Sequence, residues 1–412
     1  MRTCHRLFAG ALLGAAALAF FPSATAQTAS PESVGMSSER LTRIEALMQR
    51  HIEAKGFAGA VTLVARDNEI VWHQAQGVMD VDSGRPMQKD AVFRIMSMTK
   101  PLVAFSVMMM VEEGKVGLND PVAKYIPELG NLRVASPGNP QGIAAERQIT
   151  VKDILTHSSG LMSGEASNAS VAIEFTPGAT LASILPQLGA SQLEFQPGTR
   201  WAYSAMYGLD VAARIVEITS GVDFGTFTRE KIFGPLGMDD TFFYRDTPHP
   251  DLATLYRVEN GNFVPMPEMF FANGSYFSGG GGLYSTAEDY LQFALVMMND
   301  GELDDTRLLG TRTLEIMRAA HLPDTLPGRN PGEGYGLGVR VITDPVAEPT
   351  WLSEGSFGWS GLYNTHFFVD PQERVVGIYM TQVAGFPGAF TLMDEFETAV
   401  MQALVETPGG KQ

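Results

Sequence analysis

Ser97-Met98-Thr99-Lys100-Pro101, followed by the apolar run Leu102 to Met110, is the passage on which the reading of the whole chain turns. Side chains three apart share a helix face, so a helix starting here brings the Ser97 hydroxyl and the Lys100 amine together. Pro101 limits where that helix can start. Proline fits the first turn, whose N–H groups have no partners, but costs about 3 kcal/mol deeper in a helix. The helix is therefore expected to begin at or very near Ser97 and to run to about Glu113, just before Gly114. Its positive dipole end then faces the hydroxyl, where developing negative charge is favoured. Ser-x-x-Lys alone arises by chance about once in every few hundred residues, so it counts only if other parts of the chain answer it.

Working outward, Leu41, Ile44, Leu47, Met48 and Ile52 mark one face of an earlier helix, capped by Ser37 or Ser38. Ala60 to Ala65 and Ile70 to Gln76 read as a hairpin across Arg66-Asp67-Asn68-Glu69. From about Leu132 to Phe277 the chain is rich in Gly and Pro, with short helices expected at Val151 to Thr156, Thr180 to Leu188, Gly208 to Thr219 and Phe224 to Phe233. Ser285-Thr286-Ala287-Glu288 reads as a capping box opening a helix through Met298. Strands are expected at Gly336 to Ile342, Asn364 to Val369 and Val375 to Thr381, then a closing helix with Leu392, Phe396, Val400 and Leu404 on one stripe. This order predicts an α/β fold of the α+β type: a mainly antiparallel sheet flanked by helices, built from residues 27–131 and 278–412, with 132–277 forming a mostly helical second lobe. Strands do not alternate with helices, which argues against a doubly wound sheet.

The first 26 residues read as a secretory signal. Arg2 and Arg6 precede an uncharged apolar run from Leu7 to Phe21, and Ala24-Thr25-Ala26 offers a cleavage site. An uncleaved anchor is the alternative reading. No later stretch has 18 unbroken apolar residues, so no membrane span is expected once the signal is removed. The signal takes two of the 29 basic residues and none of the 46 acidic ones, leaving a net charge of −19. Such a surface repels nucleic acid and anionic membranes. The single cysteine, Cys4, lies inside the signal, so the mature chain has no thiol chemistry or disulfide, as export allows. The histidines are scattered singly, without His-Glu-x-x-His or His-x-His, and no metal or other cofactor is implied. His157 reads as structural at a helix end rather than catalytic. Gly279 to Gly282 lacks the Lys-Ser/Thr of a phosphate loop and is better read as close backbone packing. Met108-Met109-Met110 reads as core filling. The Gly-x-Ser-x-Gly elbow is absent, so a reacting serine would have to be activated in another way.

Two other passages answer Ser97. Tyr203-Ser204-Ala205 follows Pro197-Gly198-Thr199-Arg200-Trp201, and Trp359-Ser360-Gly361 opens a strand region reaching Val369-Asp370-Pro371. In order and spacing the three resemble the serine β-lactamase and penicillin-binding-protein superfamily, nearest to class C β-lactamases and family VIII carboxylesterases. Leu155 to Leu161, Ile232 to Met238 and Gly281 to Tyr290 extend the resemblance over nearly the whole chain from Val34 to Leu404. The resemblance implies Ser97 as nucleophile, Lys100 as its partner, and Tyr203 as general base and later proton relay. It also implies an oxyanion hole from the backbone N–H groups of Ser97 and Leu362. Making a phenolate at neutral pH costs about 4 kcal/mol, which one ammonium about 4 Å away at an effective dielectric near 20 supplies. Whether the amine or the phenol takes the serine proton stays open, and the pair is best treated as one unit.

The departures bear on substrate. Class C enzymes usually carry Asn two positions after the tyrosine, where Ala205 stands here. Their Lys-Thr-Gly is replaced by Trp359-Ser360-Gly361, which removes the cation that greets a β-lactam carboxylate. Substrate contacts are expected from Trp359, Ser360 and Gly361, and the departures resemble the carboxylesterase branch. Met266 to Phe271, with Phe277, could line an acyl pocket or belong to the core. The expected activity is acylation and hydrolysis at Ser97 of small-molecule esters with short to medium acyl chains, in the periplasm or outside the cell. The alternatives are β-lactam hydrolysis, D-amino-acid peptide or amide cleavage, acyl transfer with the same groups, or a scaffold retained for binding alone.

Overall fold

The computed structural model describes residues 28–244, 249–269 and 274–407. The signal segment read at residues 1–26, and Phe270 and Phe271 of the possible acyl pocket, lie outside the described residues.

The centre of the fold is an eight-stranded antiparallel sheet. Its strands are β1 (Gly59–Arg66), β2 (Glu69–Asp80), β3 (Arg85–Pro86), β4 (Glu333–Tyr335), β5 (Arg340–Ile342), β6 (Phe357–Gly361), β7 (Thr365–Asp370) and β8 (Val375–Met380). They lie side by side in the order β4-β5-β6-β7-β8-β1-β2-β3. The early hairpin therefore joins the late strands through β1 against β8, with Val61 opposite Met380 and Leu63 opposite Ile378. Every residue of β1 is buried, as suits a mostly apolar, β-branched strand covered on both faces.

Helices supply the two covers. On one face, α1 (Ser38–Glu53) and α5 (Ala389–Met401) pack Leu41, Ile44, Met48, Leu392, Phe396 and Val400 against Val64, Phe368 and Tyr379. On the other lies α4 (Ala287–Met298), and beyond it α2 (Thr99–Glu112) and α3 (Tyr207–Ser220). Phe105 of α2 meets Phe293 of α4 with ring centres 5.4 Å apart, and Tyr290 of α4 donates to the Met98 carbonyl at 2.8 Å. Eleven residues of α2 are buried, so this helix is apolar all round because it is enclosed all round.

Several boundaries differ from the sequence expectation, each for a local reason. The helix after Ser97 starts two residues later, at Thr99, because Met96 to Met98 form a 3₁₀ turn that leads into it. The box at Ser285 is displaced by one residue. Ser285 ends a short strand, and Thr286 caps α4 by accepting from the Asp289 N–H at 3.1 Å. The closing helix stops at Met401, so Leu404 lies beyond it and pairs instead with Met36. Tyr203 lies in a loop ahead of α3, which starts at Tyr207, one residue before the expected Gly208. Met108 and Met110 are buried as expected. Phe277 stacks edge-on against Phe243 at 5.3 Å and belongs to the core, not to a pocket.

Candidate active site

Three passages separated by about 100 and 150 residues meet at one end of α2. Met96 adopts φ of 47°, a left-handed conformation that is uncommon for a side chain of its size, and it aims the following Ser97 into a cleft. Lys100, one helical turn on, is fully buried, and its amine reaches Ser97 Oγ at 3.0 Å. The Tyr203 hydroxyl donates to the same oxygen at 2.7 Å.

The remaining contacts of the amine restrict its chemistry. Lys100 Nζ donates to the carbonyls of Ala205 at 2.7 Å and Gly280 at 2.6 Å. Carbonyls only accept, so two protons are committed, and the third position of nitrogen faces Ser97 Oγ. An ammonium would donate along that line. A neutral amine would offer its lone pair there and could receive the serine proton. The amine also lies 4.9 Å from the centre of the Tyr203 ring, so phenol and amine share one electrostatic environment. The side chain at position 205 takes no part in holding the lysine, because the backbone carbonyl does so.

The Tyr203 loop is held by His157. The histidine backbone carbonyl accepts from the Ala202 N–H at 3.0 Å, and its ring Nδ1 accepts from the Ser204 N–H at 3.2 Å. His157 thus brackets the tyrosine on both sides, with the two rings 4.8 Å apart. Burial, and then the nearby Lys100 charge, hold its pKa well below the ordinary histidine value, so the ring is neutral. It is structural, as its place at a helix end suggested.

Asp210 on α3 gave no sequence signal. It is fully buried and accepts from Tyr276 OH at 2.6 Å, Ser278 Oγ at 2.9 Å and the Gly280 N–H at 2.8 Å. Burial pushes its carboxyl up against the pull of those donors and of Lys100. The bond to Gly280 fixes the residue whose carbonyl holds the lysine. The glycine run is close packing, not a phosphate loop: a Cβ on Gly280 would come within 2.5 Å of the Met206 Cα, and one on Gly279 within 2.4 Å of the Leu209 carbonyl.

Trp359, Ser360 and Gly361 end β6 at the same cleft. A Cβ on Gly361 would fall 2.4 Å from the Ile95 carbonyl, so the strand end lies directly against the backbone entering the Ser97 turn. Leu362, the next residue, lines the same cleft as Ser97. The cleft has a volume of about 710 Å³. Met96, Met206, Met269 and Trp359 are among the apolar residues that line it. Phe390 stands largely exposed at the rim. Trp359 lies 5.5 Å from the Tyr203 ring and 5.3 Å from Tyr335. Of the proposed acyl-pocket stretch, Met269 is a lining residue.

The chain as a whole is similar to known proteins. The profile of the family described as Beta-lactamase matches residues 44–401. Protein Rv1367c of Mycobacterium tuberculosis is 33% identical over 360 residues, covering 82% of this chain and 89% of that protein. Esterase EstB of Burkholderia gladioli is 30% identical over 398 residues, covering 89% of this chain and 97% of the esterase. Among solved structures, EstCE1, described as a hydrolase with promiscuous acyltransferase activity, superposes with a TM-score of 0.77 at 26% identity, over 88% of this chain and 99% of its own. With most of its length matched by the family profile and by these proteins, the chain belongs to the beta-lactamase family of serine hydrolases.

Proposed function

We propose that the chain is an exported carboxylesterase that hydrolyses short- to medium-chain esters through an acyl-enzyme on Ser97. The observation that carries this reading is the placement of Ser97 Oγ within hydrogen-bonding reach of both Lys100 Nζ and Tyr203 OH, at 3.0 and 2.7 Å. Ser97 Oγ attacks the ester carbonyl and gives its proton to the Lys100–Tyr203 pair. The negative charge that develops on the carbonyl oxygen is met by the Ser97 and Leu362 N–H groups, each worth about 3 kcal/mol or more in such sites. The tetrahedral adduct collapses, the C–O bond to the alcohol breaks, and the pair returns the proton to the leaving alkoxide. Water then repeats the sequence on the acyl-serine, releasing the acid.

The apolar residues lining the cleft and the indole at position 359 support neutral esters over β-lactam carboxylates, and the likeness to an esterase supports the same choice. Export rests on the basic start, apolar run and small residues of positions 1–26. The test sets a chromogenic butyrate ester beside a chromogenic cephalosporin. Ester turnover with little cephalosporin turnover, abolished in Ser97→Ala, is the expected result. Wild-type turnover by Ser97→Ala would overturn the reading.

A further inference from the structure

A second chain of polar groups enters the cleft behind β6. Ser360 Oγ lies 2.9 Å from His366 Nδ1, and His366 Nε2 lies 3.2 Å from Glu397 Oε1, somewhat off the line of a good hydrogen bond. His366 and Glu397 are both almost completely buried. Glu397 also accepts from Arg340 at 2.8 Å. Burial pushes its carboxyl up, but His366 and Arg340 together hold it below its ordinary range, so it is a carboxylate. Burial holds the histidine below its ordinary value, against the pull of Glu397, so the ring is neutral. A neutral ring has one N–H, and it must face the carboxylate, because a bare nitrogen there would set two lone pairs against each other. Nδ1 is then the acceptor, and the Ser360 hydroxyl gives its single proton to it. The Met393 sulfur, 3.7 Å from the same oxygen, is a weak competitor for that proton. Toward the cleft, Ser360 therefore presents lone pairs only.

The charges around it have the same sense. Glu348 and Asp394 line this end of the cleft, and among the described residues neither has a basic group within ion-pairing distance. The two arginines that also line it are already occupied. Arg340 is held by Glu333 at 3.2 Å and by Glu397, while Arg329 is held by the Leu322 carbonyl at 2.8 Å and by the carbonyl of Glu333.

We propose that this end of the cleft is a subsite for a protonated amine on the ester substrate, with Ser360 as the acceptor that reads it, and with His366 and Glu397 as positioning residues that act through Ser360. An ammonium N–H donates to Ser360 Oγ while Asp394 and Glu348 neutralise its charge. A carboxylate in the same place meets lone pairs and carboxylates and is rejected. The inference rests on Ser97 being the esterase nucleophile and adds the substrate class.

Two matched sets of esters test it. One set carries the variable group on the alcohol: para-(aminomethyl)phenyl, para-ethylphenyl and para-(carboxymethyl)phenyl butyrate. The other carries the same groups on the acid, as para-nitrophenyl esters of the correspondingly substituted benzoic acids. In one of the sets the amine ester is expected to exceed its neutral partner by roughly tenfold or more in kcat/KM, as a charge-assisted hydrogen bond allows, with the carboxylate ester slowest. Ser360→Ala should bring the amine-to-neutral ratio close to one. Asp394→Asn, at an exposed position that folding tolerates, should lower the ratio and weaken its dependence on salt. Neutral esters turned over at least as well as amine esters in both sets, or an amine preference that neither substitution alters, would overturn the subsite while leaving the esterase reading intact. A wild-type protein that hydrolyses none of the esters would overturn both.

Discussion

Lys100 is buried at the focus of the site with its amine in contact with two carbonyls and one hydroxyl, so its removal acts on chemistry and on packing together. Lys100→Ala should lower kcat by roughly a thousandfold or more, a loss in the range of proton-transfer and charge-stabilising groups, with secondary structure kept by circular dichroism. Asp210 tests positioning at one remove. Asp210→Asn keeps the shape of the side chain but swaps an acceptor for an amide, so one of its three donors loses its partner and Gly280 loosens around the lysine. The expected result is a kcat lowered with KM little changed, together with about 1–3 kcal/mol less stability in urea. These two residues also show how far the sequence could be read. Ser97 and Lys100 lie three residues apart, across the 3₁₀ turn and the start of α2, so local spacing alone placed them together. Tyr203 and Trp359 could be found only through resemblance, because nothing local says that their loops converge. Asp210, His366 and Glu397 left no trace, since each acts through a partner 70, six or 31 residues distant that only the folded chain supplies.

At the scale of elements, the site depends on the end of β6 lying against the turn that carries Ser97. The hydrogen bond from Thr365 Oγ1 to the Ile95 carbonyl, 3.2 Å, holds the two together, and only a glycine at 361 leaves room for it. Gly361→Ala is expected to cost about 1–3 kcal/mol from overpacking and to lower kcat by moving Leu362 away from Ser97, as read by urea unfolding and ester kinetics. The start of α4 gives a pH-dependent prediction. Burial pushes the Asp289 carboxyl up to about 6, against hydrogen bonds from Thr241 and the Asp240 N–H and with added repulsion from Asp240 and Asp239. Its folded pKa lies above its ordinary 3.8, so the folded chain binds this proton more readily than the unfolded one. The stabilisation is complete below about 4 and is lost as pH rises through about 6. Asp289→Asn should therefore be more stable than wild type at pH 7 by roughly 2 kcal/mol, with the difference shrinking toward pH 4 in urea titrations. The elements themselves were largely readable, because apolar period and turn residues are local properties. Their ends were not: whether Ser285 caps a helix or finishes a strand is decided by its pairing with Phe93, in a strand whose Leu283 pairs with Phe243.

Across the whole molecule, the two ends of the described chain are tied at one place. Ser37 N–H donates to the Ala403 carbonyl at 2.8 Å, and Val405 N–H donates to Gly35 at 3.0 Å. Arg66, only 1% exposed at the end of β1, donates to the carbonyls of Val34 at 2.8 Å, Gly35 at 2.9 Å and Glu406 at 2.8 Å. Arg66→Met should leave those carbonyls short of partners and cost about 2–4 kcal/mol, measured as a lower urea midpoint, with kcat at permissive temperature unchanged because the site lies elsewhere. The antiparallel sheet was foreseen in outline from the order of strands and helices. Its joining of β1 to β8 was not, since nothing in either strand names its neighbour.

That junction sets a timetable for the growing polypeptide. Ser97, Lys100, Tyr203 and Trp359 have all been synthesised before β8 and α5 exist, yet β1 has its second neighbour, and one face of the sheet its cover, only when those last elements emerge. A nascent chain arrested at residue 370 thus holds every side chain of the proposed site and should show no turnover until the ribosome lets the remainder go.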